Sequence, residues 1–233
     1  MIALPEEIKF RRLRKLGIEL LVPVVEAFWE FEARDGQGRV IQKQRQRSHS
    51  WVRNAYNMLF CDMAGRNASD STYGAGYLNY KDTGAAVRYG NWTIPWYYED
   101  NVESPGSLGF HAGAGDASYG IIVGSGINAE SFEDYALQTP IAHGTGAGQL
   151  SYAASNSPVR TWTPSTKTMK SELVRYFNNN SGGDINVNQV ALVAKLQSIY
   201  KGLMSRDKLV STVTIPNTGQ LKVTYTIELV YPA

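Results

Sequence analysis

The sequence predicts a mainly β fold: a β-sandwich or jelly-roll-like antiparallel core, one amphipathic helix at about 50–64, and long Gly-rich loops. Three observations carry that prediction. Residues 209–229 alternate apolar and polar positions on both sides of a Pro216-Asn217-Thr218-Gly219 turn, the pattern of a half-buried antiparallel hairpin. Fourteen of the 22 glycines fall between Asn67 and Asn156, a density that long helices do not sustain. The stretch SHSWVRNAYNMLFCDMAG places Trp51, Ala55, Leu59 and Met63 four residues apart, with Val52, Tyr56 and Phe60 beside them. That is the stripe of an amphipathic helix.

The elements follow in chain order. Phe10, Leu13 and Leu16 stand at i, i+3 and i+6, which allows a docked N-terminal helix. Val24 to Phe31 reads as a strand, Asp35-Gly36-Gln37-Gly38 as a turn, and Arg39-Val40-Ile41 as the start of the returning strand. Ser48 or Ser50 is positioned to cap the 50–64 helix, and Gly65 to end it. Tyr119 to Gly124 is short, β-branched and bounded by glycine, as a buried strand would be. Ser131 to Leu137 suits a short helix or turn. Ser171 to Asn178 alternates as a strand, NNNSGGD turns the chain, and Ile185, Val187 and Gln189 open the next strand. Residues 190–200 either extend that strand or form a short helix. The organisation expected is a basic docking segment and hairpin over 1–47 and a β-rich domain over 48–233, together one compact unit.

Composition excludes several classes. A chain of 233 residues with 43% hydrophobic and 19% charged residues is not disordered. A single cysteine, Cys61, forms no internal disulfide and no four-cysteine zinc site. Within a helix it is expected as a small packing residue. The net charge of +2 is too small for nucleic-acid binding over the whole surface. Its distribution is uneven, however: residues 1–66 carry 12 Lys and Arg against 8 Asp and Glu, and the remainder has a slight acidic excess. Glu6 and Glu7 precede the N-terminal basic run and no long apolar core follows it. The expectation is therefore no secretory signal, no membrane span and synthesis in a cytoplasm.

A pass for chemistry finds little. His49, His111 and His143 lie far apart and belong to no ligand motif. Gly124-Ser125-Gly126 lacks the βαβ context of a dinucleotide loop, and HGTGAGQ lacks the Lys-Ser/Thr of a phosphate loop. Both read as turns. The adjacent acids Glu133-Asp134 and Glu99-Asp100 read as solvated turn residues. No catalytic residue, metal or cofactor is expected. Two groups read as interfaces instead. Lys9, Arg11, Arg12, Arg14 and Lys15 suit docking on an acidic protein surface better than on nucleic acid, because aromatic residues are not interleaved among them in the manner of a stacking platform. Trp92, Trp96, Tyr97 and Tyr98 belong to an aromatic group, with Tyr73, Tyr77, Tyr80 and Tyr89, of a kind that anchors interfaces or stacks on sugars.

Three segments carry a resemblance. Residues 120–152 hold a Gly124-Ser125-Gly126 turn before Asp134-Tyr135-Ala136-Leu137. Residues 172–192 hold Phe177-Asn178-Asn179-Asn180-Ser181-Gly182 leading to Ile185. Residues 203–229 hold Arg206-Asp207 and then Val223-Thr224-Tyr225-Thr226-Ile227. Together with the SHSWVRNAYN helix, this order resembles virion structural proteins of tailed bacteriophages, over about half of the chain. It departs from them at Asn188-Gln189-Val190, where such proteins often have an acidic residue before a hydrophobic-Gly pair. The resemblance implies a non-enzymatic capsid decoration (cement) protein in the virion. Its partners would be major capsid or tail proteins and further copies of itself, a trimer being the oligomer such proteins suggest. The alternative is a tail, neck or fibre component that binds a host receptor or glycan.

Overall fold

The computed structural model describes residues 5–64, 79–88, 109–196 and 199–232. Within them two antiparallel sheets pack together as a sandwich, as predicted. The larger sheet runs β2 (Val40–Arg47), β1 (Val24–Arg34), β11 (Gln220–Val230), β8 (Thr168–Asn178), β6 (Ser151–Tyr152), with β7 (Val159–Thr163) also paired to β8. The smaller runs β10 (Lys201–Ile215), β9 (Ile185–Lys195), β5 (Gly120–Gly124). A two-stranded ribbon of β3 (Tyr80–Lys81) and β4 (Val87–Arg88) is joined to the start of β10 by the Asp82–Gly202 bridge and by Thr83 N, which donates to Lys201 O (3.0 Å). Two helices accompany the sheets: α1 (Pro5–Glu19), which the spacing of Phe10, Leu13 and Leu16 allowed, and α2 (Arg53–Ala64), the predicted amphipathic helix. No helix among the described residues is long and apolar enough to cross a membrane.

Period-2 alternation builds the larger sheet. β1 places Ala27, Trp29, Phe31 and Ala33 on one face and Glu26, Phe28, Glu30 and Glu32 on the other. It pairs with β11 through all eleven residues, from Val24 opposite Val230 to Arg34 opposite Gln220. The 24–47 hairpin is thus built into the sheet. The inner face contributes Trp29, Phe31, Leu173, Phe177, Leu221, Val223 and Tyr225 to one core with Ile121, Val123, Leu192, Leu203, Val213 and Ile215 of the smaller sheet. Residues 190–194 are buried on both sides of β9, so 190–195 continues the strand and no helix forms there.

β10 does not stay in register with β9. Lys208 faces Gln189 but Val213 faces Val187, so residues 209–212 bulge away from their neighbour. Side chains from β2 take over the exposed backbone. Gln46 Nε2 donates to Lys208 O (2.9 Å), and Val210 N donates to Gln46 Oε1 (3.0 Å). Gln42 Nε2 donates to Thr212 O (2.8 Å), and Thr214 N donates to Gln42 Oε1 (3.2 Å). Gln44 links the two by accepting from Ser211 Oγ and donating to Gln46 Oε1. The alternate residues Lys43, Arg45 and Arg47 face outward.

The expected serine caps of α2 are also corrected. Ser48 donates its hydroxyl proton to Asp207 (2.8 Å), and the Ser50 N–H also turns to Asp207 (3.3 Å). Helix α2 begins at Arg53, so Val52 stands at the cap position and both serines lie upstream of it. Gly65 lies outside the described residues.

Candidate functional site

The outer face of β1 and β2 is a ladder of opposite charges. The register sets Glu30 against Arg45 and Glu32 against Lys43, with N···O distances of 3.0 and 3.9 Å. Cross-strand pairs of this kind stabilise a sheet. Arg45 and Arg47 cover the Phe28 ring at 3.9 and 4.8 Å. Arg47 also bonds Glu26 at 2.7 Å.

Helix α1 rests on this ladder by one polar face. Pro5 at its start and Glu6 and Glu7 in its first turn suit a helix N-terminus. Glu7 meets Arg47 at 3.1 Å, Phe10 lies 4.4 Å from the Arg47 guanidinium, and Arg14 reaches Glu26 at 3.2 Å. The helix ends at an i to i−5 bond from Val22 N to Gly17 O, with Leu21 at φ +57°. That is the left-handed position that glycine usually fills. Gly17 touches the start of β1 closely: a Cβ there would lie 2.3 Å from Val24 Cγ2.

The other side of α1 is open. Leu13, Leu16 and Leu20 recur at i, i+3 and i+7, and they are 56%, 49% and 63% exposed. Ile8, Ile18, Leu21, Val22 and Val25 are exposed as well. Of the five predicted docking cations, Arg14 turns toward its own sheet. Arg11 pairs with Glu7 and Lys15 with Glu19 along the helix, both with exposed side chains. Lys9 and Arg12 are exposed, with no ion pair among the described residues. The helix therefore presents leucines and cations outward together. The aromatic candidates Trp92, Trp96, Tyr97 and Tyr98, like Tyr73, Tyr77 and Tyr89, lie outside the described residues. Tyr80 is described, and it is buried in β3.

One cluster has metal-like composition: donor atoms of His49, Glu130 and Asp207 lie within 4.8 Å of one another. Its bonding makes it an ion-pair hub. Asp207 Oδ2 accepts from Trp29 Nε1 (2.8 Å) and Ser48 Oγ (2.8 Å), and Oδ1 accepts from the N–H groups of His49 (3.0 Å) and Ser50 (3.3 Å). Burial pushes the Asp207 carboxyl up, and these donors and His49 pull against it. His49 Nε2 lies 3.3 Å from Glu130 and 3.8 Å from Glu6. The Glu130 hydrogen bond, with the charges of Asp207, Glu130 and Glu6, outweighs burial and raises the His49 pKa to about 9. The ring is thereby held as a cation paired with these carboxylates.

The other sequence candidates have structural partners. His111 is buried, and its Nε2 donates to Ser155 O at 2.5 Å. His143 Nδ1 accepts from Tyr152 N at 3.1 Å. In HGTGAGQ, Gln149 folds back to accept from Gly146 N at 3.0 Å. Gly124-Ser125-Gly126 leaves room for Gln189, whose Nε2 would lie 2.3 Å from a Cβ at position 126. Cys61 lies on α2. Arg53 bonds Glu133, and Arg206 bonds Asp134 at 2.6 Å. The adjacent acids thus point to different partners. Sequence reasoning missed Gln42, Gln44 and Gln46, whose signal was strict alternation with Lys43, Arg45 and Arg47. It also missed Arg175, which is fully buried and donates to five carbonyls, those of Ala153, Tyr119, Ile121, Gly113 and Asp116.

No protein-family model, curated protein or solved structure matches this chain.

Proposed function

We propose that this chain acts by association, as a capsid decoration protein of a tailed-phage particle that docks on neighbouring subunits through α1. The observation that carries the reading is the two-sided helix. Glu7, Phe10 and Arg14 hold it to the β1–β2 ladder, while Leu13, Leu16, Leu20, Lys9 and Arg12 remain outside. Apolar side chains left together on a surface mark an association site, and the cations beside them favour an acidic partner. The phage assignment is supported by the motifs at 120–152, 172–192 and 203–229. Burial of the leucines would supply affinity, and the cations would supply orientation and rate.

The test is incorporation into virions of the phage that encodes the chain. A Leu13→Glu/Leu16→Glu variant should stay folded, since both residues are exposed, and should lose at least tenfold in occupancy against wild type by quantitative electrophoresis of purified particles. Equal occupancy would defeat the docking role of α1. Absence of the wild-type chain from purified virions would defeat the phage reading itself.

A further inference from the structure

Helix α1 is joined to the sandwich by charge and not by core packing. Over residues 6–19 Gly17 alone is buried, and Glu7, Phe10 and Arg14 are half-buried. None of these residues belongs to the core that the two sheets share. The contacts are Glu7 with Arg47 (3.1 Å), Arg14 with Glu26 (3.2 Å), Glu6 with His49 (3.8 Å) and the Phe10 ring with the Arg47 guanidinium (4.4 Å). In each ion pair the helix side chain is at least a third exposed, so water and salt reach it.

The groups on both sides have second partners. Glu7 has Arg11 one turn along the helix (3.4 Å), and Glu26 has Arg47 on the next strand (2.7 Å). Arg47 also has the Phe28 ring (4.8 Å), and His49 has Glu130 (3.3 Å). Only Arg14 gives up its ion pair when the helix leaves, and its side chain already meets solvent. The connection to β1 is open, since residues 18–23 are all exposed. Within it Leu21 is held at φ +57°, a strained conformation for leucine. The docked position also splits the apolar stripe of the helix. Phe10, Leu13, Gly17 and Leu20 stand at i, i+3, i+7 and i+10, yet Phe10 faces the sheet while the leucines face outward.

We infer that α1 is a detachable arm. It leaves the β1–β2 ladder about residues 18–23 while the sandwich stays folded, and release reunites Phe10 with Leu13, Leu16 and Leu20 on one face. A stripe of that spacing is what an apolar groove takes from a helix. A helix of this length is marginal alone in water, so the free arm frays and refolds against its partner. The purpose of release rests on the proposed docking role of α1; release itself does not. Exchange in the free chain reads release and occupancy in particles reads docking, so either reading can fail without the other.

Hydrogen exchange of the full chain tests the arm. A Glu7→Gln/Arg14→Gln variant removes two of the ion pairs and keeps helix propensity. It should lower the protection of amides 9–19 by about fivefold or more, while amides 27–33 of β1 and 190–194 of β9 keep theirs. In wild type, raising NaCl from about 0.01 to 1 M shortens the screening length about tenfold. It should lower the protection of 9–19 by about threefold, again without change in the strands. Arg12→Gln, on the outward face, should leave all three regions as in wild type. Protection of 9–19 that ignores either the double substitution or the salt would overturn the inference. So would loss at 27–33 in step with the helix, or an equal loss in Arg12→Gln.

Discussion

Arg206 and Asp207 are neighbours in sequence and serve opposite faces of β10. Arg206 is fully buried and donates to Gln189 Oε1 (3.0 Å), Ala129 O (3.0 Å), Asn128 O (2.9 Å) and Asp134 (2.6 Å). Asp207, equally buried, gathers Trp29, Ser48, His49 and Ser50. One dipeptide thus ties loop 128–134 to one side of the strand and segment 48–50 to the other. Asp207→Asn keeps the shape but sets amide hydrogens against existing donors. It should lower stability by about 2–4 kcal/mol, as breaking a buried charged network does. Urea unfolding measures this, and a loss below about 1 kcal/mol would contradict the network. The signal was present in LMSRDKLV: consecutive charges inside a strand must point to opposite faces, so one of them enters the protein. The partners were not legible, because they lie 17 to 178 residues away.

At the scale of elements, legibility followed local pattern. α2 and the β10–β11 hairpin repeat at their own periods, and both were readable. α1 was only half readable. Its spacing allowed a helix, but the face that docks is Glu7, Phe10 and Arg14, and leucines do not lead it. Apolar periodicity alone points to the wrong side. The β2–β10 seam was not readable, because glutamine is neutral in strand patterns and the bulge that needs it is far along the chain. That seam predicts a local effect. Gln46→Leu removes the donor to Lys208 O and the acceptor for Val210 N, leaving two backbone groups without partners. The cost should be about 1–3 kcal/mol. Hydrogen exchange should show Val210 losing protection while core amides such as Leu192 lose it only by the global amount. Uniform loss across β9 and β10 would mean that the glutamines do not hold the bulge.

At the scale of the whole molecule, His49 joins three parts that the sequence keeps apart: α1 through Glu6, loop 128–134 through Glu130, and β10 through Asp207. Its charge is therefore a condition of their common arrangement. The folded pKa of about 9 stands above the unfolded value of 6.5. A group shifted in that direction stabilises the fold fully below pH 6.5 and loses its contribution as pH rises through 9. The ring is partly exposed, so solvent screening reduces the effect to about 1 kcal/mol. His49→Gln keeps a hydrogen-bond donor and removes the titration. The stability of wild type minus that of the variant should be greatest near pH 6, fall between pH 7 and 9, and vanish near pH 10. Taking the difference cancels the tyrosines and lysines that titrate in both proteins. Urea unfolding across this range reads it directly. A difference that is flat with pH would make His49 a packing residue, and one that grows with pH would mean a neutral ring in the fold. Glu6→Gln should shrink the same difference without abolishing it, because Glu130 is nearer to the ring. One of the contacts that hold α1 to the sandwich is in this way a charge that alkaline pH removes.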